Sequence, residues 1–185
     1  MKQKVKKKEM KTLKLYITEA LHVNRNTKEN YHNYHPKTKD ELEELVKKLI
    51  KERGNKADLN DIDTSAITDM RELFLDSKFN GDISNWDVSS VKDMRYMFNQ
   101  SKFNGDISEW DVSSVKDMVS MFGGSKFNGD ISKWDVSCVE NMAYMFGYSK
   151  FNGDISDWDV SNIKNVTNMF IDCPLQKNPP KWYKK

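Results

Sequence analysis

The sequence predicts an α/β solenoid of 24-residue strand and short-helix repeats, closed by a helical N-terminal cap. Three observations predict it. Phe79, Phe103, Phe127 and Phe151 recur at one fixed interval, and Trp86, Trp110, Trp134 and Trp158 recur at the same interval. The run Lys78-Phe79-Asn80-Gly81-Asp82-Ile83-Ser84 returns unchanged from positions 102, 126 and 150. Within each unit the apolar positions pass from strand-like to helical spacing. A fixed period of this length marks an array whose units cannot bury their own faces singly, so that stacking supplies the core.

Residues 1–57 form a basic N-terminal arm and helical cap region, with 16 basic against 8 acidic side chains. Lys2, Lys4, Lys6, Lys7 and Lys8, continued by Lys11 and Lys14, are a candidate electrostatic anchor. A helix is predicted from about Thr12 to Leu21, followed by a polar linker over residues 22–36. Thr38-Lys39-Asp40-Glu41 is a capping box. Leu42, Leu45, Leu49 and Ile50 line one face of the helix it opens, and Gly54 ends that helix. The helix is expected to cover a first, irregular repeat. There Leu59, Ile62, Ile67, Met70, Leu73 and Phe74 stand one period before Ile83, Trp86, Val91, Met94, Met97 and Phe98.

Residues 58–172 form the repeat solenoid. Ile83-x-x-Trp86-x-Val88 has the L-x-x-L-x-L spacing of a leucine-rich-repeat strand, so the predicted solenoid is leucine-rich-repeat-like. Trp86 and Val88 are expected to point inward and Asn85, Asp87 and Ser89 outward. Val91, Met94, Met97 and Phe98 then read as a short helix, N-capped by Ser90 with Asp93 as its acidic partner. Asn80-Gly81-Asp82 reads as a turn, its glycine supplying positive φ. Residues 173–185 form a basic C-terminal cap, a degenerate last repeat in which Leu175 and Trp182 follow Phe151 and Trp158 by one period. Pro179 and Pro180 bar a further strand there.

The formal net charge is only +2, but residues 58–172 carry 10 basic and 20 acidic side chains. No run approaches the ~18 apolar residues of a membrane span. The N-terminal lysines are not followed by an apolar segment, so no signal peptide is expected, and the chain reads as intracellular or assembly-associated unless a non-Sec route exports it. Cys138 and Cys173 are isolated, and His22, His32 and His35 lack metal-ligand spacing, so no metal and no cofactor are expected. The Asn80-Gly81-Asp82 spacing is not that of a calcium loop. No acid, base and nucleophile set can be named, so a non-catalytic protein is expected. The basic arm carries no aromatic residue before Tyr16, which points to electrostatic docking and away from sequence-specific nucleic-acid recognition.

Two candidate surfaces follow. The outward strand positions read Asn85, Asp87, Ser89; Glu109, Asp111, Ser113; Lys133, Asp135, Ser137; and Asp157, Asp159, Ser161. Aspartates stacked about 5 Å apart repel by about 1 kcal/mol even in water. Either they face a basic protein partner or cations, or they accept backbone N–H groups at turns. The second surface consists of helix positions that vary between copies: Arg95-Tyr96, Val119-Ser120, Ala143-Tyr144 and Thr167-Asn168. Packing holds buried positions constant, so variation is expected to mark solvent-facing ones.

Trp-Asp-Val-Ser-Ser-Val-Lys-Asp-Met-x-x-Met-Phe, followed by Phe-Asn-Gly-Asp-Ile-Ser, resembles the unit of the BspA-like leucine-rich-repeat surface proteins. The same unit occurs in mycoplasma lipoprotein-associated domains of unknown function. The resemblance spans roughly residues 58–172 and implies a right-handed solenoid, adhesion or protein binding, and no enzymatic residues. Surface members bring a signal peptide, lipobox or wall anchor, and none is visible in this sequence. Leu15-Tyr16-Ile17-Thr18-Glu19-Ala20-Leu21 looks like the short N-terminal segment of some large gut-phage virion proteins. The expected function is a protein-interaction or adhesion module presenting a rigid repetitive face. The alternative is a structural or accessory component of an assembly such as a phage virion, tethered by the basic N-terminus.

Overall fold

The structure, a computed structural model, describes residues 32–183, which belong to one compact unit beginning at His32. The expected helix at Thr12–Leu21 and the basic arm lie outside the described residues. One α-helix, α1, spans Lys39–Arg53. Its first turn is held as the capping box requires: Thr38 Oγ1 accepts the Glu41 N–H at 3.2 Å. Glu41 reaches one residue further back than expected, accepting the Lys37 N–H at 2.6 Å. Gly54, at φ 87°, ends the helix by returning its N–H to Ile50 O. The buried face is Leu42, Val46 and Leu49, with Leu45 and Ile50 half-buried at its edges.

Beyond α1 the chain winds in stacked 24-residue coils whose backbone bonds follow one rule. The N–H groups of Met94, Tyr96, Phe98 and Gln100 donate forward to the carbonyls of Asp117, Val119, Met121 and Gly123 at 2.8–2.9 Å. Between them, Met97, Asn99 and Ser101 donate within their own coil, three residues back, to Met94, Tyr96 and Phe98. The same alternation runs through residues 70–76, 118–124 and 142–148. Beside it, Lys92, Lys116, Glu140 and Lys164 donate backward to Thr68, Lys92, Lys116 and Glu140, which makes isolated parallel bridges between successive coils from Asp69 to Asn165.

This corrects the predicted leucine-rich-repeat strand and helix. Among the described residues α1 is the only α-helix, and Pro174–Gln176 forms a single 3-10 turn. Parallel pairing there is confined to six isolated bridges. The predicted helix over Val91, Met94, Met97 and Phe98 is a chain of tight turns. Tyr96 and Gln100 both lie at φ 57°, and the other coils repeat this left-handed pair, from Glu72 and Asp76 to Asn168 and Asp172. An α-helix cannot pass through such residues, and alternate N–H groups are used between coils instead. Ser90 caps no helix; Asp93 closes its own turn by accepting the Arg95 N–H at 3.1 Å. The predicted strand at Trp86–Val88 is replaced by two turns, with Trp86 N–H on Ile83 O and Val91 N–H on Val88 O.

Side chains stack in register with the backbone. Phe79, Phe103, Phe127 and Phe151 form one ladder of near-parallel rings 6.2–6.3 Å apart. Phe74, Phe98, Phe122, Phe146 and Phe170 form a second ladder at 5.4–6.0 Å. The tryptophans point inward, and Trp86, Trp110, Trp134 and Trp158 each donate Nε1–H to a carbonyl of the preceding coil. Gly81, Gly105, Gly129 and Gly153 are needed for close approach and not, as expected, for positive φ. A Cβ at any of them would lie 2.7–2.9 Å from the phenylalanine ring two residues back. The asparagine before each glycine links coils: Asn80, Asn104 and Asn128 Oδ1 accept the N–H of Asn104, Asn128 and Asn152 at 2.7–2.9 Å.

The ends differ. At the first coil Arg53 grips Asp61 through two bonds of 2.9 and 3.0 Å. Tyr34, expected in a linker, pairs there with Ile62. At the last coil Trp182 Nε1–H donates to Ile155 O at 2.9 Å, and Tyr183 meets the Phe170 ring edge-on at 4.8 Å.

Candidate functional site

The described residues show two outward surfaces. On the first, each aspartate that follows a tryptophan closes a turn. Asp87 Oδ1 accepts the Ser89 N–H at 3.0 Å and its hydroxyl at 2.6 Å. Asp111, Asp135 and Asp159 accept the N–H of Ser113, Ser137 and Ser161 at 3.0–3.1 Å. A parallel row does the same: Asp82, Asp106, Asp130 and Asp154 accept the N–H of Ser84, Ser108, Ser132 and Ser156. Asn85, Glu109, Lys133 and Asp157 are exposed beside these turns.

At five of these aspartates the turn contacts favour the ionised carboxylate. The hydroxyls and then the N–H groups of Ser113 and Ser161 lower the pKa of Asp111 and Asp159. The N–H groups and then the hydroxyls of Ser108, Ser132 and Ser156 do the same for Asp106, Asp130 and Asp154. A lowered folded-state pKa adds stability above the unfolded value of about 3.9, and that stability is lost as pH falls through the folded value. The melting temperature is therefore expected to hold between about pH 7 and 5 and to fall below about pH 4. A rise on acidification would mean that repulsion along the rows outweighs the turn bonds.

The second surface carries the positions that vary between copies. At its first coils Asp69, Arg71, Asp93, Arg95 and Asp117 alternate in charge along the stack. Arg71 meets Asp69 at 2.6 Å and Asp93 at 3.5 Å; Arg95 meets Asp93 at 2.7 Å and Asp117 at 3.9 Å. Where the arginine gives way to Val119, Ala143 and Thr167, the next aspartates become Asn141 and Asn165. Tyr96, Tyr144 and Tyr148 are exposed on this surface with Leu75, and Tyr144 Oη accepts a bond from Asn168 Nδ2 at 2.6 Å. Thr167 is exposed too, and Arg95 is half-buried.

Not every variable position faces solvent, which corrects part of the expectation. Ser120 and Ala143 are 7% and 6% exposed and Val119 is half-buried, because these residues sit among turns that also carry core side chains. The anchor lysines, Lys2, Lys4, Lys6, Lys7, Lys8, Lys11 and Lys14, lie outside the described residues. The asparagine ladder and the Asp/Arg column were not foreseen. The signal for the first was an identical asparagine in every period; for the second, the joint loss of arginine and aspartate after Asp117.

Among the described residues no group of three His, Cys, Asp or Glu side chains is placed to hold a metal ion. No helix among them is long and apolar enough to cross a membrane. Cys173 is buried, which raises its thiol pKa. The family model described as "Mycoplasma protein of unknown function, DUF285" matches residues 41–147 and again 122–183. That fits the mycoplasma repeat unit seen in the sequence, and the match does not extend to BspA-like surface proteins specifically. Curated proteins and solved structures give no match.

Proposed function

The chain belongs to the DUF285 family of Mycoplasma proteins of unknown function, and from that premise we propose that it is a non-catalytic protein-binding module. The observation that carries this reading is the exposed aromatic set. The large hydrophobic side chains exposed among the described residues are Leu75, Tyr96, Tyr144 and Tyr148, and all four lie on the turn run that varies between coils. Tyrosine and arginine are enriched at the energetic centres of protein interfaces; Arg95 directly precedes Tyr96, and Arg71 holds the position of Arg95 one coil earlier. Backbone bonds between coils hold that run rigid, so a partner meets a surface already ordered. The likeness of the unit to BspA-like surface proteins supports the same reading, with adhesion as one use of such a surface.

The test compares the full chain with a Tyr96→Ala/Tyr144→Ala/Tyr148→Ala variant as bait in affinity capture, at low and high salt. The triple variant is expected to keep the wild-type melting temperature within a few degrees and to lose its specific partners, by about tenfold or more in affinity. Undiminished capture by the variant would overturn the assignment. Partners indifferent to the tyrosines but released by salt would place recognition on the charged N-terminal residues.

A further inference from the structure

The last coil presents backbone donors that every earlier coil satisfies. In the coil before it, the N–H groups of Met142, Tyr144, Phe146 and Tyr148 donate to Asn165, Thr167, Met169 and Ile171. Their counterparts are Val166, Asn168, Phe170 and Asp172. The Asp172 N–H is taken by Gln176 Oε1 at 2.9 Å. The other three find no acceptor among the described residues. Residues 173–183 close over the Trp158 side, where Trp182 repeats the tryptophan bond, and over the Phe170 ring. Along the donor row runs a groove of about 640 Å³, lined by Lys164, Val166, Asn168, Phe170, Gln176 and Tyr183 among others.

We propose that this groove binds an extended peptide of a partner protein, which adds to the stack as a further coil edge. The pairing rule of the earlier coils sets what such a peptide must carry: carbonyls at three alternate residues, aligned parallel to the row. Edge addition of this kind draws affinity from backbone bonds and specificity from flanking side chains. Charge sets one flank. In the column Lys92, Lys116, Glu140, Lys164, Glu140 is held by Lys164 at 2.5 Å and by Lys116 at 4.0 Å. Lys164 remains 74% exposed at the groove. In the register of the stack, the residue above Lys164 is the one just before the first carbonyl, so the peptide carries an acidic residue there. A separate peptide is favoured over a second copy stacking head to tail, because the matching carbonyls of the first coil lie at the end that carries α1, tied there by Arg53 to Asp61.

The test uses the full chain, isotopically labelled, and a synthetic peptide with the sequence of residues 139–147, Val-Glu-Asn-Met-Ala-Tyr-Met-Phe-Gly. Amide hydrogen exchange is read residue by residue. Val166, Asn168 and Phe170 are expected to exchange fast alone and to become protected saturably as peptide is added. A peptide with lysine in place of its glutamate is expected to bind about threefold more weakly or worse, and Lys164→Glu protein to reverse that preference. Absence of saturable protection at these three amides, or a preference that Lys164→Glu does not change, would overturn the proposal. So would protection of the same amides in the free chain that grows with its concentration, which would identify a second copy as the occupant. This outcome is independent of the tyrosine surface, so either reading can fail without the other.

Discussion

Trp110→Ala is expected to lower the unfolding free energy by about 3–5 kcal/mol, read as a fall in the denaturant midpoint at unchanged slope. Trp110 is 4% exposed and lies 6.2 Å from the Phe98 ring. Its Nε1–H donates to Ile83 O in the preceding coil at 3.2 Å. Truncation thus removes one buried aromatic body and one of the bonds that join two coils. The cavity cannot be filled from the side, because the neighbouring rings are fixed in ladders that run through the stack. An unchanged midpoint would show that the tryptophan is not a core residue. The equivalent change at half-buried Trp182 is expected to cost less, since it removes less buried surface.

Gly129→Ala is expected to destabilise by about 1–3 kcal/mol, against the usual direction for a glycine of ordinary φ. At a roomy site of this kind the substitution stabilises by about 0.4–1 kcal/mol, through the unfolded chain. Here the new Cβ would stand 2.9 Å from two ring carbons of Phe127. That ring cannot give way. It lies 4.2 Å from Phe122, with Phe103 and Phe151 at 6.3 and 6.2 Å on either side. The sign of the change therefore decides between close approach and conformational freedom as the reason for the glycine. Phe127→Leu in the same chain is expected to make the two changes less than additive, because the smaller side chain relieves the contact. Chemical denaturation of the two single variants and the double variant reads all three values.

The period and the core were legible in the sequence because buried positions repeat the same residue types. Phe79, Ile83, Trp86, Val88, Val91, Met94, Met97 and Phe98 are all buried, as their recurrence implied. The local conformation was not legible. Met94, Met97 and Phe98 have helical spacing, yet successive tight turns bury the same positions. Of the two left-handed columns, the one of Asp76, Gln100, Gly124, Tyr148 and Asp172 carries residues that hint at positive φ. The other holds Glu72, Tyr96, Ser120, Tyr144 and Asn168, and at Glu72 and the tyrosines only the bonds between coils reveal it. For the Asp87 row the sequence left two readings open, a charged face for a partner or turn closure, and the structure shows each of these aspartates accepting the N–H of the serine two residues on. Choosing between them needs the direction of that N–H, which is a property of the fold.

The measurement that bears most directly on this architecture is the scalar coupling carried across backbone hydrogen bonds, observed by NMR on the labelled full chain. Couplings are expected from the amide nitrogens of Met118, Ser120 and Phe122 to the carbonyl carbons of Asn141, Ala143 and Met145, one coil onward. Couplings from those nitrogens to carbonyls four residues back would restore a helix to every repeat and contradict the stacked-turn architecture.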